Sequence, residues 1–205
     1  MPASFNKHNN STQPREQTPE GCYAARCFGI AELGVQTSEY LGEVKQGPEI
    51  LFFFEIPSET ITYEKDGETI TAPRVINLRL KNSMHEKAKM RAVLGQWRGK
   101  PFSDEETSKF SPEKVLGSVC QLSVAHNKKG YANISSLAPL MKGIKVDDQV
   151  NPTINFGISD LNNPEEFGKL YPWVQKIVME SEEAKKKLDE PIIQRNDTDD
   201  SDIPW

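Results

Sequence analysis

The chain has 205 residues and a formal net charge of −5, with 36% hydrophobic and 27% charged residues. This length is enough for one domain with a buried core. The longest apolar run, residues 50–54, is too short to span a bilayer, and the first 20 residues contain no apolar signal-peptide core. Three cysteines do not form a disulfide framework. These features predict a globular cytoplasmic protein that does not associate with membranes.

Charge is distributed unevenly along the chain. Residues 189–205 contain six acidic residues and one arginine, which accounts for the whole net charge. Residues 69–100 contain eight basic residues and one acidic residue, and residues 109–145 contain six lysines and one glutamate. A basic middle followed by an acidic tail indicates a polarised molecule, which the overall pI near 5.4 conceals.

The first half of the chain reads as strands after a disordered lead-in over residues 1–20, which is rich in Asn, Ser, Gln, Thr and Pro. Residues 22–35 predict a first strand, and residues 49–57 predict a second strand that Pro57 stops. Residues 59–71 predict a separate hairpin with its turn at Asp66-Gly67. Residues 74–81 alternate cleanly between apolar and polar side chains, which predicts a third strand.

Helix signals follow the third strand. Ser83 and Glu86 form a capping-box pattern for a helix that ends near Trp97, and Ser103 and Glu106 repeat the pattern. Ser111 is the expected N-cap of a third, short helix.

Strand patterns return at residues 118–126 and 131–138, joined by a turn at 127–130, and again near residues 153–159. A helix from about Trp173 to Leu188 is predicted to bury a stripe of Trp173, Ile177, Ala184 and Leu188.

This order of elements predicts a mainly β (α+β) OB-fold over residues 21–188. The expected architecture is a five-stranded Greek-key barrel with a helical insertion between strands 3 and 4, an added hairpin and a C-terminal helix. Residues 189–205 are predicted to be a disordered acidic tail with a hydrophobic tip. OB-folds bind single-stranded nucleic acid or oligosaccharide through strands 2 and 3 and the neighbouring loops.

Basic and aromatic residues on these elements are candidate DNA contacts, because cations follow phosphates and bases stack on exposed rings. The candidates for phosphate and polar contacts are Arg74, Asn77, Arg79, Lys81, Lys128 and Lys129. The candidates for stacking are Phe52, Phe54, Tyr63 and Tyr131. The alternative is that the phenylalanines belong to the core and that the lysines only cover the surface.

The last residues of the sequence, DDSDIPW, fit a peptide ligand in which acids meet a basic rim and an aromatic tip fills a pocket. This motif resembles the C-terminal tip of bacterial single-stranded DNA-binding proteins, although that family usually ends in Phe. The body is similar to phage-encoded single-stranded DNA-binding proteins at WRGKPF (97–102), GYANISSL (130–137) and the Asn151-Pro152 that precedes TINF.

The resemblance implies a protein that coats single-stranded DNA in phage DNA replication, recombination and repair, in the cytoplasm of a bacterial host. It also implies a tip that recruits proteins of these pathways, and it leaves homo-oligomer formation possible. The expected partner-binding residues are Asp199, Asp200, Asp202, Ile203, Pro204 and Trp205.

Sequence signals for catalysis are weak. His85 and His126 have no nucleophile beside them in sequence, and no glycine-rich phosphate loop is present. Cys22 and Cys27 are five apart on a strand and face opposite ways, so a zinc site formed by them with Cys120 and His126 is disfavoured. The sequence therefore predicts no enzyme, no catalytic residue, no metal and no cofactor. An RNA-binding OB module and an adaptor that binds no nucleic acid remain alternatives, with a metal-dependent nuclease behind them.

Overall fold

The computed structural model describes residues 16–40, 42–65 and 67–189, and the fold is mainly β. The strands of the described part are β1 (Gly21–Tyr40), β2 (Glu43–Lys65), β3 (Glu68–Lys81), β4 (Val119–His126), β5 (Ala132–Ala138) and β6 (Ile154–Phe156). The α-helices are α1 (Lys89–Arg98), α2 (Asp104–Ser108), α3 (Pro164–Gly168), α4 (Pro172–Met179) and α5 (Glu182–Asp189). Short 3-10 helices occupy Pro112–Val115 and Ile158–Asn162.

The sheet is open and antiparallel, with the hydrogen-bonded order β3-β2-β1-β4-β5. The start of β1 pairs with β4, and the rest of β1 pairs with β2. β6 adds a short parallel pairing to β1. β3 and β5 lie near each other, but no hydrogen-bonded ladder joins them among the described residues. The long β1 strand therefore connects the two halves of the sheet.

Alternating residues of β2 divide the core into two apolar layers, one on each face of the sheet. Phe52 and Phe54 point into the inner layer, which α1 covers with Trp97. Leu51 and Phe53 point into the outer layer, which α4 covers. A run of five apolar residues in one strand is stable because both faces of the strand are covered.

Two sequence predictions about the strands are wrong. Pro57 does not stop the second strand, because the pairing of β2 with β3 resumes at Thr60 after an irregularity that begins at Ile56. A bulge accommodates a proline because its residues need not donate to the ladder. The predicted hairpin is consequently the far end of β2 and β3 rather than a separate element. Gly67 lies at its turn with a φ of 84°, and Asp66 lies outside the described residues.

The first helix starts later than its capping-box pattern predicts. The Ser83 hydroxyl accepts a hydrogen bond from the His85 N–H at 3.3 Å, and residues 85–87 form a turn. Helix α1 starts only at Lys89, with no side-chain cap, and ends at Arg98, close to the predicted Trp97, with Gly99 in the left-handed conformation. The second capping box, Ser103 with Glu106, is confirmed at α2.

The predicted C-terminal helix is divided into α4 and α5 by Ser181. Ser181 is fully buried, and its hydroxyl accepts a hydrogen bond from the Ala184 N–H at 3.2 Å, as an N-cap does. The predicted apolar stripe is displaced by one residue, since Val174 and Val178 are buried and Trp173 is 42% exposed. Ala184 is buried as predicted, and the side chain of Leu188 lies outside the described part.

Within residues 16–40, 42–65 and 67–189, no helix has the length and apolar character needed to cross a membrane.

Candidate nucleic-acid interface

The outward-facing row of β3 carries polar and basic side chains, as the alternation in the sequence predicts. Ile76 and Leu80 are buried, while Asn77, Arg79 and Lys81 are exposed. Directly paired residues of an antiparallel ladder share a face. Asn77 pairs with Phe53, Arg79 with Leu51 and Lys81 with Glu49, so the row lies on the outer face of the sheet.

The C-terminal helices cover the outer face only over part of the sheet. Val174 and Val178 of α4 pack in the outer layer with Leu51 and Phe53, and α4 and α5 contact β1. The side chains of Arg79 and Lys81 remain 42% and 46% exposed. The β3 row is therefore a part of this face that remains open to a ligand.

Glu49 lies between the two cations of this row. Its carboxylate forms ion pairs with Lys81 at 3.0 Å and with Arg79, although its side chain is only 11% exposed. Burial opposes ionisation of Glu49, but hydrogen bonds from Lys81 and Arg79 outweigh that effect and lower the pKa of the carboxyl. Glu49 therefore stays charged at neutral pH and offsets one of the two positive charges.

A cleft of about 830 Å³ extends this site beyond β3 and is lined largely by cationic and polar side chains. Its lining includes Ser38, Glu49, Arg79, Lys81, Ser83, His85, Lys87 and Lys89. Four of these side chains are cationic and one is a carboxylate, so the cleft has a net positive charge. A positively charged groove of this kind favours an anionic ligand.

Of the lining residues only Arg79 and Lys81 were predicted from sequence, and the potentially cationic residues that were missed are His85, Lys87 and Lys89. The capping-box pattern assigned His85 and Lys87 to a helix. In the structure residues 82–88 instead follow the end of β3 as an irregular segment and enter the cleft. The sequence signal that could have identified these residues was the excess of basic residues over 69–100. That excess identifies the basic region but does not show on which face each side chain lies.

The turn between β4 and β5 presents the other predicted basic group. Lys128, Lys129 and Tyr131 are exposed, and Tyr131 is 58% exposed. The Asn127 carboxamide oxygen fixes this turn by accepting hydrogen bonds from the N–H groups of Lys129 at 2.9 Å and Tyr131 at 3.1 Å. The turn is thus a preformed basic loop with one exposed ring.

This turn and the cleft lie at different positions along strand β1. β4 reaches the turn beside Gly21, which pairs with Val124. Arg79, which lines the cleft, is in register with Ala31 of β1, because Ala31 pairs with Leu51 and Leu51 pairs with Arg79. Ten residues of β1 separate the two positions, which corresponds to about 33 Å along the strand. Along the strands, the two basic groups therefore lie at different positions of the sheet.

Arg74 is not available for phosphate contact. It is 6% exposed, its guanidinium forms an ion pair with Glu16 at 2.8 Å, and it donates to the Glu16 carbonyl at 2.9 Å. The neighbouring Gln17 side chain accepts a hydrogen bond from the Ala132 N–H at 3.1 Å. Residues 16–17, predicted as part of the lead-in, therefore connect β3 to β5 and belong to the folded body.

Phe52 and Phe54 are likewise unavailable for stacking, because they are 1% and 0% exposed in the inner layer. The outer layer buries Phe53 as well, so none of the three consecutive rings faces solvent. Tyr63 is 44% exposed near the far end of β2. Of the predicted stacking residues, Tyr63 and Tyr131 are the two with accessible rings.

The WRGKPF stretch is structural. Trp97 is buried, packs against Phe54 with ring centroids 5.4 Å apart, and donates from Nε1 to the Val119 carbonyl at 2.9 Å. Arg98 lies 3.9 Å over the Phe102 ring and forms an ion pair with Glu106 at 2.7 Å. Its hydrogen bond lowers the pKa of Glu106 to about 2, and the Ser103 N–H contributes in the same direction.

A fully buried carboxylate anchors the long loop that precedes β6. Glu55 accepts hydrogen bonds from the Asn151 side chain at 2.7 Å and from the N–H groups of Asn151 at 2.9 Å and Val150 at 3.1 Å. Arg26, which pairs with Glu55 across the ladder, donates to the carbonyl of Asp147 at 3.0 Å. The Asn151-Pro152 stretch is thus a point of attachment between this loop and the sheet.

Groups suited to metal binding do not converge in the described ranges, where no cluster of three or more His, Cys, Asp or Glu side chains could hold an ion. Cys27 and Cys120 are buried free thiols, and burial raises the pKa of Cys27 to about 12. Cys22 is exposed and contacts Ser123 at 3.3 Å.

The predicted partner-binding residues lie outside the described residues. They are Asp199, Asp200, Asp202, Ile203, Pro204 and Trp205. Comparisons with protein-family models, with curated proteins and with solved structures find no match to this chain.

Proposed function

We propose that this chain binds single-stranded DNA without strong sequence preference, using the basic cleft at the end of β3 as its main phosphate-binding site. The observation that carries the proposal is the convergence of Arg79, Lys81, Lys87 and Lys89 around one open cleft. Phosphate contacts are electrostatic and independent of sequence, so such a cleft suits a protein that coats DNA.

The order of the sheet supports an OB-type barrel. β3-β2-β1-β4-β5, with α1 between β3 and β4 and with β3 near β5, is the strand arrangement expected of that fold. In OB-folds the outer face of strands 2 and 3 and the loop between strands 4 and 5 contact nucleic acid. In such a barrel Arg79 and Lys81 would belong to the first of these regions, and Lys128, Lys129 and Tyr131 would belong to the second.

The cellular role that we propose follows from this chemistry and from the acidic segment ending in Ile-Pro-Trp. The protein coats single strands during phage DNA replication, recombination and repair in the host cytoplasm, and it performs no catalysis. Residues 199–205 recruit partner proteins, because acids beside an aromatic tip suit a pocket with a basic rim.

The experiment is a fluorescence-anisotropy titration of labelled oligo-dT with the full chain, at several salt concentrations. The test variant is Arg79→Glu/Lys81→Glu. The matched control is Lys109→Glu/Lys114→Glu, which makes the same charge change at two exposed lysines between α2 and β4. Two lost phosphate contacts reduce the slope of log K against log salt by about 1.4, since each contributes about 0.7 on single strands.

We expect the test variant to lose at least tenfold in affinity at low salt and the control to lose far less. No oligo-dT binding by the unmodified protein, or equal losses in both variants, would overturn the proposal. A parallel titration with oligo-U tests the RNA alternative, because readout of the 2′-hydroxyl would make the RNA bind more tightly.

A further inference from the structure

Trp173 is a large aromatic side chain that the fold leaves exposed. It lies in the first turn of α4, directly after Pro172, and it is 42% exposed. The next residue, Val174, is fully buried in the outer apolar layer and fixes the orientation of the helix. Trp173 therefore lies at the edge of the apolar contact between α4 and the sheet.

The Trp173 indole packs against the buried ring of Phe53. Its centroid is 6.3 Å from that of Phe53, with an interplanar angle of 64°, which is an edge-to-face arrangement. Phe53 is fully buried and also contacts Tyr171 at 5.6 Å. The indole is therefore packed against Phe53 while 42% of the residue remains accessible to solvent.

The same contact locates Trp173 relative to the candidate interface. Phe53 pairs directly with Asn77, whose exposed side chain lies on the same face of the sheet. Arg79 is two residues further along β3, about 7 Å from Asn77 at the spacing of a strand. Trp173 and Asn77 thus share Phe53 as a neighbour on the outer face of the sheet, and Asn77 begins the polar row that leads into the basic cleft.

We propose that Trp173 is a base-stacking residue of this interface and that it makes the protein prefer single-stranded to double-stranded DNA. The inference rests on the proposed function and adds to it a site that reads unpaired bases. An indole face can stack on any base, but only when that base is free of its own neighbours in a duplex. The basic cleft alone binds phosphates of either form.

The test uses the full-length protein with labelled oligo-dT and with a duplex of equal length. Trp173→Ala removes the stacking face, and Trp173→Phe restores an aromatic ring. Met179→Ala is the matched control, since Met179 is a 40% exposed apolar residue on the same helix. We expect Trp173→Ala to weaken oligo-dT binding about tenfold, which corresponds to about 1.4 kcal/mol, and to leave duplex binding unchanged.

The salt dependence separates stacking from charge. We expect the slope of log K against log salt to be the same in Trp173→Ala and in the unmodified protein, because no phosphate contact is lost. Trp173→Phe should recover most of the affinity, and Met179→Ala should bind like the unmodified protein. Thermal unfolding of each variant verifies that the outer layer is intact.

Intrinsic tryptophan fluorescence supplies a second readout that does not require substitution of Trp173. Trp97 is buried, so in a full-length Trp205→Phe variant the accessible tryptophan emission comes from Trp173. Saturation with oligo-dT should quench this emission and protect it from acrylamide, whereas duplex should do neither.

Unchanged oligo-dT affinity in Trp173→Ala, or an equal loss with duplex, would overturn the stacking role while the phosphate cleft stands. Absence of oligo-dT binding by the unmodified protein would instead overturn the proposed function and this inference together. The two failures are therefore distinguishable.

Discussion

The Lys81 ammonium lies 3.0 Å from the Glu49 carboxylate, which also pairs with Arg79 and is held charged by these two cations. Under the proposed function, a DNA phosphate in the cleft would approach the same two cations and would be repelled by this carboxylate. Glu49 therefore holds the cations in position and at the same time weakens the attraction of the cleft for anions.

The substitution Glu49→Gln removes this negative charge and keeps the side-chain shape. We expect oligo-dT affinity at low salt to increase at least about threefold, because one unit charge some 6 Å away is worth about 0.7 kcal/mol even at the dielectric constant of bulk water. Glu43→Gln is the control, since Glu43 pairs with Lys45 on the same strand with both side chains well exposed. Weaker binding by Glu49→Gln would mean that Glu49 chiefly organises the cations.

Glu106 gives a prediction about pH. Its pKa is lowered to about 2 by the Arg98 hydrogen bond and the Ser103 N–H, compared with 4.5 as an ordinary value. A depressed pKa in the folded state contributes stability that is present above the unfolded-state pKa and lost as the pH falls through the folded-state pKa. We therefore expect the Glu106 contribution to disappear between about pH 4.5 and pH 2.

Carboxyl NMR titration of the protein measures this directly. Arg98→Gln should bring the Glu106 pKa back towards its ordinary value, while Lys109→Gln, which affects the separate Glu105 pair, should leave it unchanged. A Glu106 carboxyl that titrates near 4.5 in the unmodified protein would contradict the prediction.

The buried Glu55 should be a large contributor to stability. Glu55→Ala leaves the N–H groups of Val150 and Asn151 and the Asn151 side chain without their acceptor. An unsatisfied buried donor costs about 1–3 kcal/mol, and these donors are only partly buried, so we expect a total loss of about 1–3 kcal/mol in the free energy of unfolding. Denaturant unfolding measures the loss, and Glu43→Ala, at an exposed position on β2, should lose less than about 0.5 kcal/mol.

Gly34 tests the contact between β1 and α5. It has a φ of 71°, and an added Cβ would lie 2.7 Å from Ser181 and from the Glu183 carboxylate. Glu183 also accepts the Val35 N–H at 2.8 Å, so a displaced α5 would lose that hydrogen bond.

Gly130→Ala is the matched control, because Gly130 has a φ of 79° and open space around it. We expect the control to lose about 1 kcal/mol from backbone strain alone. Gly34→Ala should lose at least twice as much by thermal or denaturant unfolding. Equal losses of stability in Gly34→Ala and Gly130→Ala would show that α5 can shift without destabilising the protein.

Local patterns in the sequence were sufficient where the relevant contacts are themselves local. The alternation along residues 74–81 assigns Arg79 and Lys81 to one face of β3, and the Ser103–Glu106 capping box is formed between residues three apart. The turn at residues 127–130 is likewise fixed by the side chain of Asn127. In each case the chain provides both partners within a few residues.

Tertiary structure decided the features that depend on a second layer. Phe52, Phe53 and Phe54 are all buried because α1 covers one face of β2 and α4 covers the other, and alternation alone cannot reveal a covered outer face. The Ser83 pattern did not mark the helix start, because the Ser83 hydroxyl accepts the His85 N–H within a turn and α1 begins only at Lys89.

Tertiary packing also explains why the two residues at the start of α4 differ in burial. Trp173 and Val174 are both suited to an apolar stripe, and only the angle at which α4 lies on β1 and β2 buries Val174 and exposes Trp173. The sequence by itself determined which segments are strands and where the basic charge is concentrated. The packing of distant segments determined which of those side chains reach solvent, because burial depends on surfaces that the chain brings together only when it folds.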